Sequence, residues 1–265
     1  MKFLILSLLL CATLCPATIH AQAKTKVSSY SFDYSIEGKP YEGYIARPVS
    51  KDIKPRPAIL VVHDWKGLRA PARQFAEELA TMGYIALAVD MYGSGLRAET
   101  AEEAKKLVTP VYSDRTLMRQ RIRKAYDELV RLPGVDPDRI AVLGFCFGGT
   151  VSLELARTGT PLRGAISFHG SLNTPRPADA ANIKCPILIL HGAADPLVPA
   201  AEVEAFKKEM EAAKIPYTFI AYPDAVHAFT SREAGNDPPK GAAYQEAADQ
   251  KSRMEMRKFL EKVMR

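Results

Sequence analysis

Short apolar runs with almost no polar residue recur along the chain and are separated by amphipathic stretches. The runs occupy residues 58–62, 84–89, 139–143, 164–168 and 186–190. Runs of this length without polar alternation are typical of parallel strands that are buried on both faces. The stretches between them space apolar residues for one face of a helix, as Phe75, Leu79 and Met82 do before Gly83. Strands that alternate with helices predict an α/β fold with a mostly parallel central sheet and helices on both faces.

The first folded segment has a different pattern. Residues 31–37 alternate apolar and polar side chains, and residues 41–46 return after the turn Glu37-Gly38-Lys39, which predicts an N-terminal antiparallel hairpin. Further helices are predicted over residues 99–131, 147–157, 200–213 and 241–263, and a further strand over residues 217–222. We expect a single domain over residues 24–265.

The start of the chain reads as a targeting segment. Lys2 precedes an apolar run over residues 3–14, and Ala21-Gln22-Ala23 fits a small-x-small cleavage site. The run is too short for a comfortable membrane span. We therefore predict a signal peptide over residues 1–23, cleaved after Ala23, and an exported protein, periplasmic or secreted, without stable membrane insertion. A retained N-terminal anchor is the alternative.

The distribution of charge argues against nucleic-acid binding, and the cysteine content bears on whether a disulfide can form. The net charge is +6, but the basic residues are scattered, and the basic stretch at 115–124 fits the solvated face of a helix. No aromatic residues interleave with it, so we expect no nucleic-acid partner. Signal cleavage would remove Cys11 and Cys15 and leave Cys146 and Cys185. An oxidising compartment permits a disulfide between these two, but we expect free thiols, with Cys185 as a small buried residue at a strand start.

The most informative motif is Gly144-Phe145-Cys146-Phe147-Gly148-Gly149, directly after the apolar run at 140–143. It has the form of the G-x-S-x-G nucleophile elbow, with a thiol where the hydroxyl normally stands. Such a strand–turn–helix would place the sulfur at the sheet edge. The first turn of a helix favours the thiolate through its macrodipole and free N–H groups. The motif therefore predicts a nucleophilic Cys146.

A thiol nucleophile needs a base and an acid that orients the base. His227 lies on the loop after the strand at 217–222, and Asp195 lies on the loop after the strand at 186–190. The chain order of nucleophile, acid and base is that of the α/β-hydrolases. Asp195 could instead cap the helix near residue 200. His63, His169 and His191 also end or follow buried runs, where a histidine either faces a ligand or is hydrogen-bonded within the core.

The sequence offers candidates for an oxyanion hole but no convincing metal site. The backbone N–H groups of Phe147 and Trp65 are the expected oxyanion donors. A metal site would have to combine His63 and Asp64 with His191 and Asp195, and no known ligand spacing supports it, so we expect no metal and no organic cofactor.

These motifs together resemble the dienelactone hydrolase family of α/β-hydrolases. The resemblance rests on the cysteine elbow, on His191-Gly-x-x-Asp195 and on Val226-His227-Ala-Phe229, and it runs from about residue 30 to the end. It implies an α/β-hydrolase fold, a small-molecule ester or lactone substrate, and a Cys-His-Asp triad in which Cys146 is the nucleophile, His227 the base and Asp195 its orienting acid. An acyl-cysteine intermediate follows from that triad.

The chain departs from the family in the substrate pocket. Members that act on dienelactone carry a glutamate where Asp64 stands, and two arginines that fall near Ser94 and Ser231 in this chain. Arg97 and Arg232 lie close by in sequence and are the candidate substitutes. The full set of residues expected to line the pocket is Asp64, Tyr92, Phe145, Phe229, Arg97 and Arg232, with Trp65 beside them. Each of the four aromatic residues could equally belong to the core. The resemblance therefore predicts ester or lactone hydrolysis, but it does not predict that dienelactone itself is the substrate. A non-catalytic binding protein, or a thioesterase or peptidase on the same fold, stays open.

Overall fold

A computed structural model describes residues 25–52 and 54–265 of the chain. The predicted signal peptide lies outside these residues. Eight strands form one sheet: β1 (Val27–Ile36), β2 (Lys39–Pro48), β3 (Arg56–Val62), β4 (Ile85–Val89), β5 (Val135–Phe145), β6 (Gly164–Phe168), β7 (Ile187–Gly192) and β8 (Tyr217–Tyr222). Six α-helices accompany it: α1 (Ala70–Thr81), α2 (Ala101–Ser113), α3 (Arg115–Arg131), α4 (Phe147–Arg157), α5 (Ala200–Ala212) and α6 (Glu246–Val263). Within the described residues, no helix is long and apolar enough to cross a membrane.

The strand order in the sheet is β1-β2-β4-β3-β5-β6-β7-β8. The β1–β2 and β2–β4 pairs are antiparallel, and every other pair is parallel. Glu37 and Gly38 close the β1–β2 hairpin with positive φ angles of 50° and 77°. The predicted fold class is therefore confirmed: a mostly parallel sheet carries an antiparallel hairpin at its N-terminal edge.

Alternate residues of the central strands face two separate cores. On β3, Leu60 and Val62 belong to one core, which also contains side chains of α3, α4 and α5, whereas Ile59 and Val61 belong to the other, which contains side chains of α1 and α6. All four are fully buried, and each contributes roughly 1.5–3 kcal/mol by leaving water. The two helical layers leave the carboxyl ends of the parallel strands open, which is where α/β proteins bind ligands.

Two helix boundaries differ from the predictions. The segment at 99–131 forms two helices, because the Asp114 side chain accepts hydrogen bonds from the N–H groups of Thr116 and Leu117 and so begins α3. The last helix begins at Glu246 rather than near residue 241. Residues 241–243 are held in a backbone bridge, in which the N–H of Ala243 donates to the carbonyl of His227.

Candidate active site

Cys146 occupies a strained turn between β5 and α4. Its backbone angles are φ 53° and ψ −116°, a conformation that L-residues adopt rarely and mostly at functional sites. The turn is tight enough that a Cβ on Gly144 would lie 2.2 Å from the carbonyl oxygen of Gly148. A Cβ on Gly148 would in turn lie 2.3 Å from the carbonyl oxygen of Val62. Both positions therefore require glycine, and the motif forms the elbow that its sequence predicts.

His227 stands between the thiol and a carboxylate. Its Nε2 lies 3.0 Å from Sγ of Cys146, and its Nδ1 lies 2.8 Å from Oδ2 of Asp195. These are hydrogen-bonding distances on both sides of the ring. The structure thus brings together the three residues that the sequence analysis proposed as nucleophile, base and acid.

Asp195 is fixed through both carboxylate oxygens. Oδ2 accepts from the His227 ring, and Oδ1 accepts from the N–H of Leu197 at 2.8 Å. Helix α5 begins after Pro199 without a side-chain cap, so Asp195 does not serve as a helix cap. The β7 end approaches the His227 loop closely, because a Cβ on Gly192 would lie 2.5 Å from the carbonyl oxygen of Ala225.

The surroundings of His227 favour its charged form. Burial by itself would lower the pKa of His227, but the negative charge of a Cys146 thiolate and the hydrogen bonds to Asp195 and Cys146 outweigh that effect and raise the pKa to about 10. A protonated His227 ring, hydrogen-bonded to the Cys146 sulfur and to Asp195, is the state that this geometry favours.

The backbone N–H groups of Trp65 and Phe147, the expected oxyanion donors, lie on two segments that line the cleft. Phe147 is the first residue of α4, where N–H groups have no partner within the helix. The turn that carries Trp65 is held in place, since the Tyr92 hydroxyl donates to the Trp65 carbonyl at 2.9 Å and the Lys66 N–H donates to Asp64 at 2.8 Å. Across residues 25–52 and 54–265, neither the Trp65 N–H nor the Phe147 N–H has an acceptor within the protein.

Cys146 opens into a cleft of about 1150 Å³. Three of the expected pocket residues line it, namely Asp64, Phe145 and Arg232, as do the rings of Trp65 and Phe147. Sequence analysis missed several other lining residues, which come from α2, the Asp195 loop and the His227 loop: Val108, Tyr112, Leu197, Val198 and Thr230. They carry no motif, and only the long-range packing brings them to the cleft.

Tyr92, Phe229 and Arg97 were expected at the pocket, and the structure places them outside it. The Tyr92 ring is buried behind the Trp65 turn to which its hydroxyl donates. Phe229 is fully buried, because its ring packs on Tyr222 and His169. Arg97 is engaged elsewhere, as it donates to the Leu68 carbonyl and forms an ion pair with Glu42. Of the two candidate carboxylate-binding arginines, only Arg232 reaches the cleft, and its guanidinium stacks over the Tyr244 ring.

The other strand-end histidines have separate environments. His63 is a core residue: its Nδ1–H donates to the Asp64 carbonyl at 2.5 Å, and its Nε2 accepts from the Met91 N–H at 3.2 Å. His191 is buried against Phe219. His63 and His169 both line the cleft, whereas His191 does not. The four residues considered as metal ligands do not converge, and the described part of the chain holds no group of three side chains suited to a metal ion.

The remaining cysteine is remote from this chemistry. Cys146 and Cys185 are both free thiols in the structure. Cys185 is buried among apolar side chains at the start of β7, and burial raises the pKa of its thiol to about 12. An inert, protonated thiol follows from this environment.

Comparisons with known proteins agree with this fold. A relative from Escherichia coli strain K12, assigned by name to the carboxymethylenebutenolidases, is 29% identical over 214 residues, which cover 74% of this chain and 75% of that protein. Protein usf of Aquifex pyrophilus is 31% identical over 213 residues, covering 78% and 90% of the two chains.

Among solved structures, a dienelactone hydrolase-like promiscuous phosphotriesterase from metagenomic libraries superposes with a TM-score of 0.85 at 33% identity, covering 90% of this chain and 99% of that one. The sequence model of the dienelactone hydrolase family matches residues 41–264. This match spans most of the chain, which therefore belongs to the dienelactone hydrolase family.

Proposed function

We propose that this protein hydrolyses small-molecule carboxylic esters or lactones through an acyl-cysteine intermediate. Its family membership makes it a hydrolase that acts on ester bonds. The observation that carries the mechanism is the position of His227, with Nε2 3.0 Å from Sγ of Cys146 and Nδ1 2.8 Å from Asp195. Nucleophile, base and orienting acid within hydrogen-bonding reach of one another are the signature of covalent catalysis.

In the acylation half, the Cys146 thiolate attacks the ester carbonyl carbon and forms a C–S bond. The carbonyl electron pair moves onto oxygen, and the N–H groups of Trp65 and Phe147 stabilise the resulting oxyanion. Collapse of the tetrahedral intermediate breaks the C–O bond. The imidazolium of His227 donates its Nε2 proton to the departing alkoxide, so the alcohol leaves neutral and His227 becomes a neutral base.

In the deacylation half, neutral His227 takes a proton from a water molecule as that water attacks the thioester carbon. The second tetrahedral intermediate uses the same two N–H donors. Its collapse breaks the C–S bond, releases the carboxylic acid and restores the thiolate–imidazolium pair. Asp195 accepts the Nδ1–H bond throughout, which holds the ring in the orientation that both proton transfers need.

Substitution at the nucleophile tests this mechanism. Cys146→Ala is expected to reduce kcat/KM on a short p-nitrophenyl ester by at least about 10³-fold, and Cys146→Ser by a smaller factor, because serine lacks a stable anionic form at this pH. Cys185→Ala is the matched control and should keep the wild-type rate. Full activity of Cys146→Ala would exclude the acyl-cysteine mechanism.

The size and the lining of the cleft indicate which esters it can accept. Its volume of about 1150 Å³ exceeds what a small lactone fills. Only one of the two candidate carboxylate-binding arginines lines it. We therefore expect bulky esters to be cleaved at least as efficiently as dienelactone. Parallel measurements of kcat/KM on esters, thioesters, lactones and peptides rank these substrates. A clear preference for thioesters or peptides would contradict the proposed ester or lactone substrate.

Phosphotriester hydrolysis is a second candidate activity. The relative with 33% identity and a TM-score of 0.85 is itself a promiscuous phosphotriesterase, and a thiolate beside two N–H donors can attack phosphorus as well as carbon. Release of p-nitrophenolate from diethyl p-nitrophenyl phosphate, lost in Cys146→Ala, would support this activity. Absence of turnover at millimolar substrate would exclude it.

We also propose that the protein is exported, on the strength of Lys2, the apolar run at 3–14 and Ala21-Gln22-Ala23. An intact-mass measurement on protein expressed with its full sequence in a bacterial host decides this. A mature chain that starts at Lys24 supports export, and a chain that retains the first residues contradicts it.

A further inference from the structure

His169 is a buried histidine at the cleft that the proposed mechanism does not use. It follows β6 directly, its side chain is only 2% exposed, and it lines the cleft beside Cys146. Its backbone φ is 41°, and its N–H donates to the Leu190 carbonyl on β7 at 2.8 Å. A strained residue that is anchored between two central strands provides a rigid support for what it contacts.

What His169 contacts is the loop that carries His227. Its Nε2 and the Oγ1 of Thr230 share a hydrogen bond of 2.8 Å. Its ring packs edge-to-face on the His227 ring, with centroids 5.3 Å apart, and on the Phe229 ring at 5.1 Å. The His169 side chain therefore contacts His227, Phe229 and Thr230, three of the four residues from 227 to 230.

The other contacts that hold His227 do not cover the side of its ring that packs on His169. Its main chain is held by the bridge to Ala242, in which the His227 N–H donates to the Gly241 carbonyl at 3.2 Å. Its Nδ1 is held by Asp195. Neither support limits a sideways swing of the imidazole about the Asp195 hydrogen bond, and such a swing would carry Nε2 away from the sulfur.

His169 is also suited to lie against a charged ring. Burial, and next the neighbouring His227, hold the pKa of His169 well below its usual range, so its ring is neutral. Its Nδ1 has no hydrogen-bond partner among the described residues. A neutral ring can support the His227 imidazolium without repelling it.

We propose that His169 is a positioning residue for His227: through its Thr230 hydrogen bond and its edge-to-face contact, it holds the imidazole within proton-transfer distance of Cys146. This inference rests on the proposed function. It assigns a role in catalysis to a residue that touches neither the nucleophile nor the acid of the triad by hydrogen bond.

The cleanest test removes the hydroxyl on the other side of the hydrogen bond. Thr230→Val is expected to lower kcat about three- to tenfold with KM within twofold, because a neutral hydrogen bond and small displacements of a base are worth that much. Thr230→Ser keeps the hydroxyl and should recover most of the rate. Thr81→Val, which removes an exposed threonine hydroxyl that does not line the cleft, is the matched control and should leave kcat unchanged.

A second readout does not involve substrate. The rate at which iodoacetamide alkylates Cys146 reports how well His227 stabilises the thiolate, and it should fall in Thr230→Val and His169→Phe but not in Thr81→Val. Alkylation in the double variant Thr230→Val/His169→Phe should be no slower than in the slower of the two single variants. Both substitutions remove the same hydrogen bond, so their effects should not add. His169→Phe keeps a ring at this position, so that the loss measures the hydrogen bond.

Failure of this inference is distinguishable from failure of the proposed function. Wild-type kcat and alkylation rates in Thr230→Val, or additive losses in the double variant, would overturn the role of His169 while Cys146→Ala still abolished activity. Full activity of Cys146→Ala would overturn the proposed function itself. Thr230→Val is expected to fold, with a melting temperature within about 2 °C of wild type.

Discussion

The carbonyl oxygen of Gly148 stands where a side chain on Gly144 would have to lie, at 2.2 Å from an added Cβ. Gly144→Ala must therefore displace the main chain of the elbow. We expect a loss of at least about 3 kcal/mol in the free energy of unfolding, together with loss of activity. Urea titration followed by circular dichroism measures it.

Gly38→Ala is the control for this substitution. Gly38 has a positive φ of 77° but open space around it, so alanine there is expected to cost only about 1 kcal/mol. Equal losses at the two positions would show that the packing at Gly144 is not what requires glycine.

Asp195→Asn tests the orientation of His227. An amide can present its NH₂ group to Nδ1 and so favour the wrong tautomer, and kcat is expected to fall about 10³- to 10⁴-fold, as for the corresponding aspartate of a serine protease triad. Stopped-flow or steady-state kinetics on a p-nitrophenyl ester measures the loss. Asp33→Asn, on the exposed face of β1, should retain the wild-type rate, and a loss below tenfold in Asp195→Asn would contradict the assigned role.

The raised pKa of His227 predicts an alkaline limit to activity. With that pKa near 10 against an ordinary value of 6.5, the general acid stays protonated at neutral pH, and kcat/KM should decline as pH rises through about 10. The protonated ring stabilises the fold fully below pH 6.5, and this contribution is lost as pH rises toward 10. A pH–rate profile with the uncatalysed rate subtracted checks the limit. A decline centred near pH 7 would be incompatible with the ion pair.

The two thiols should differ sharply in reactivity. Cys146 faces the cleft, whereas Cys185 is buried with a pKa raised to about 12. Brief treatment of the native protein with iodoacetamide at pH 7 is expected to label Cys146 alone. Peptide mass spectrometry locates the label, and the same treatment in urea, where both residues react, confirms that Cys185 is detectable. Labelling of native Cys185 would contradict the packing described for β7.

Glu233 joins the loop after His227 to the opposite wall of the cleft. Its carboxylate accepts from Arg69 at 2.8 Å, and both residues line the cleft. The pair is partly exposed, so Glu233→Gln should change stability by less than about 1 kcal/mol. Because the change loosens one wall of the cleft, KM is expected to rise about two- to fivefold with little effect on kcat. An unchanged KM on a bulky ester would show that this contact does not shape the binding site.

The alternation of buried strands and helices was enough to predict the sheet, and the elbow motif identified Cys146. Asp195 and His227 were found because each follows a core strand. The break between α2 and α3 was missed, since the apolar periodicity continues across Asp114 and only its side-chain hydrogen bonds end one helix and begin the next. Tyr92 could line the cleft or belong to the core on the sequence alone, and it is buried, with its hydroxyl donating to the Trp65 carbonyl. Such tertiary hydrogen bonds leave no pattern in the sequence.

The order of strands in the sheet has a consequence for how activity arises during folding. The nucleophile follows β5, whereas the acid and the base follow β7 and β8 at the far edge of the sheet. Catalytic competence therefore requires pairing that extends across β6 and β7 to that edge. A refolding chain can bury most of its core while still inactive, and recovered hydrolysis reports the docking of the edge strand.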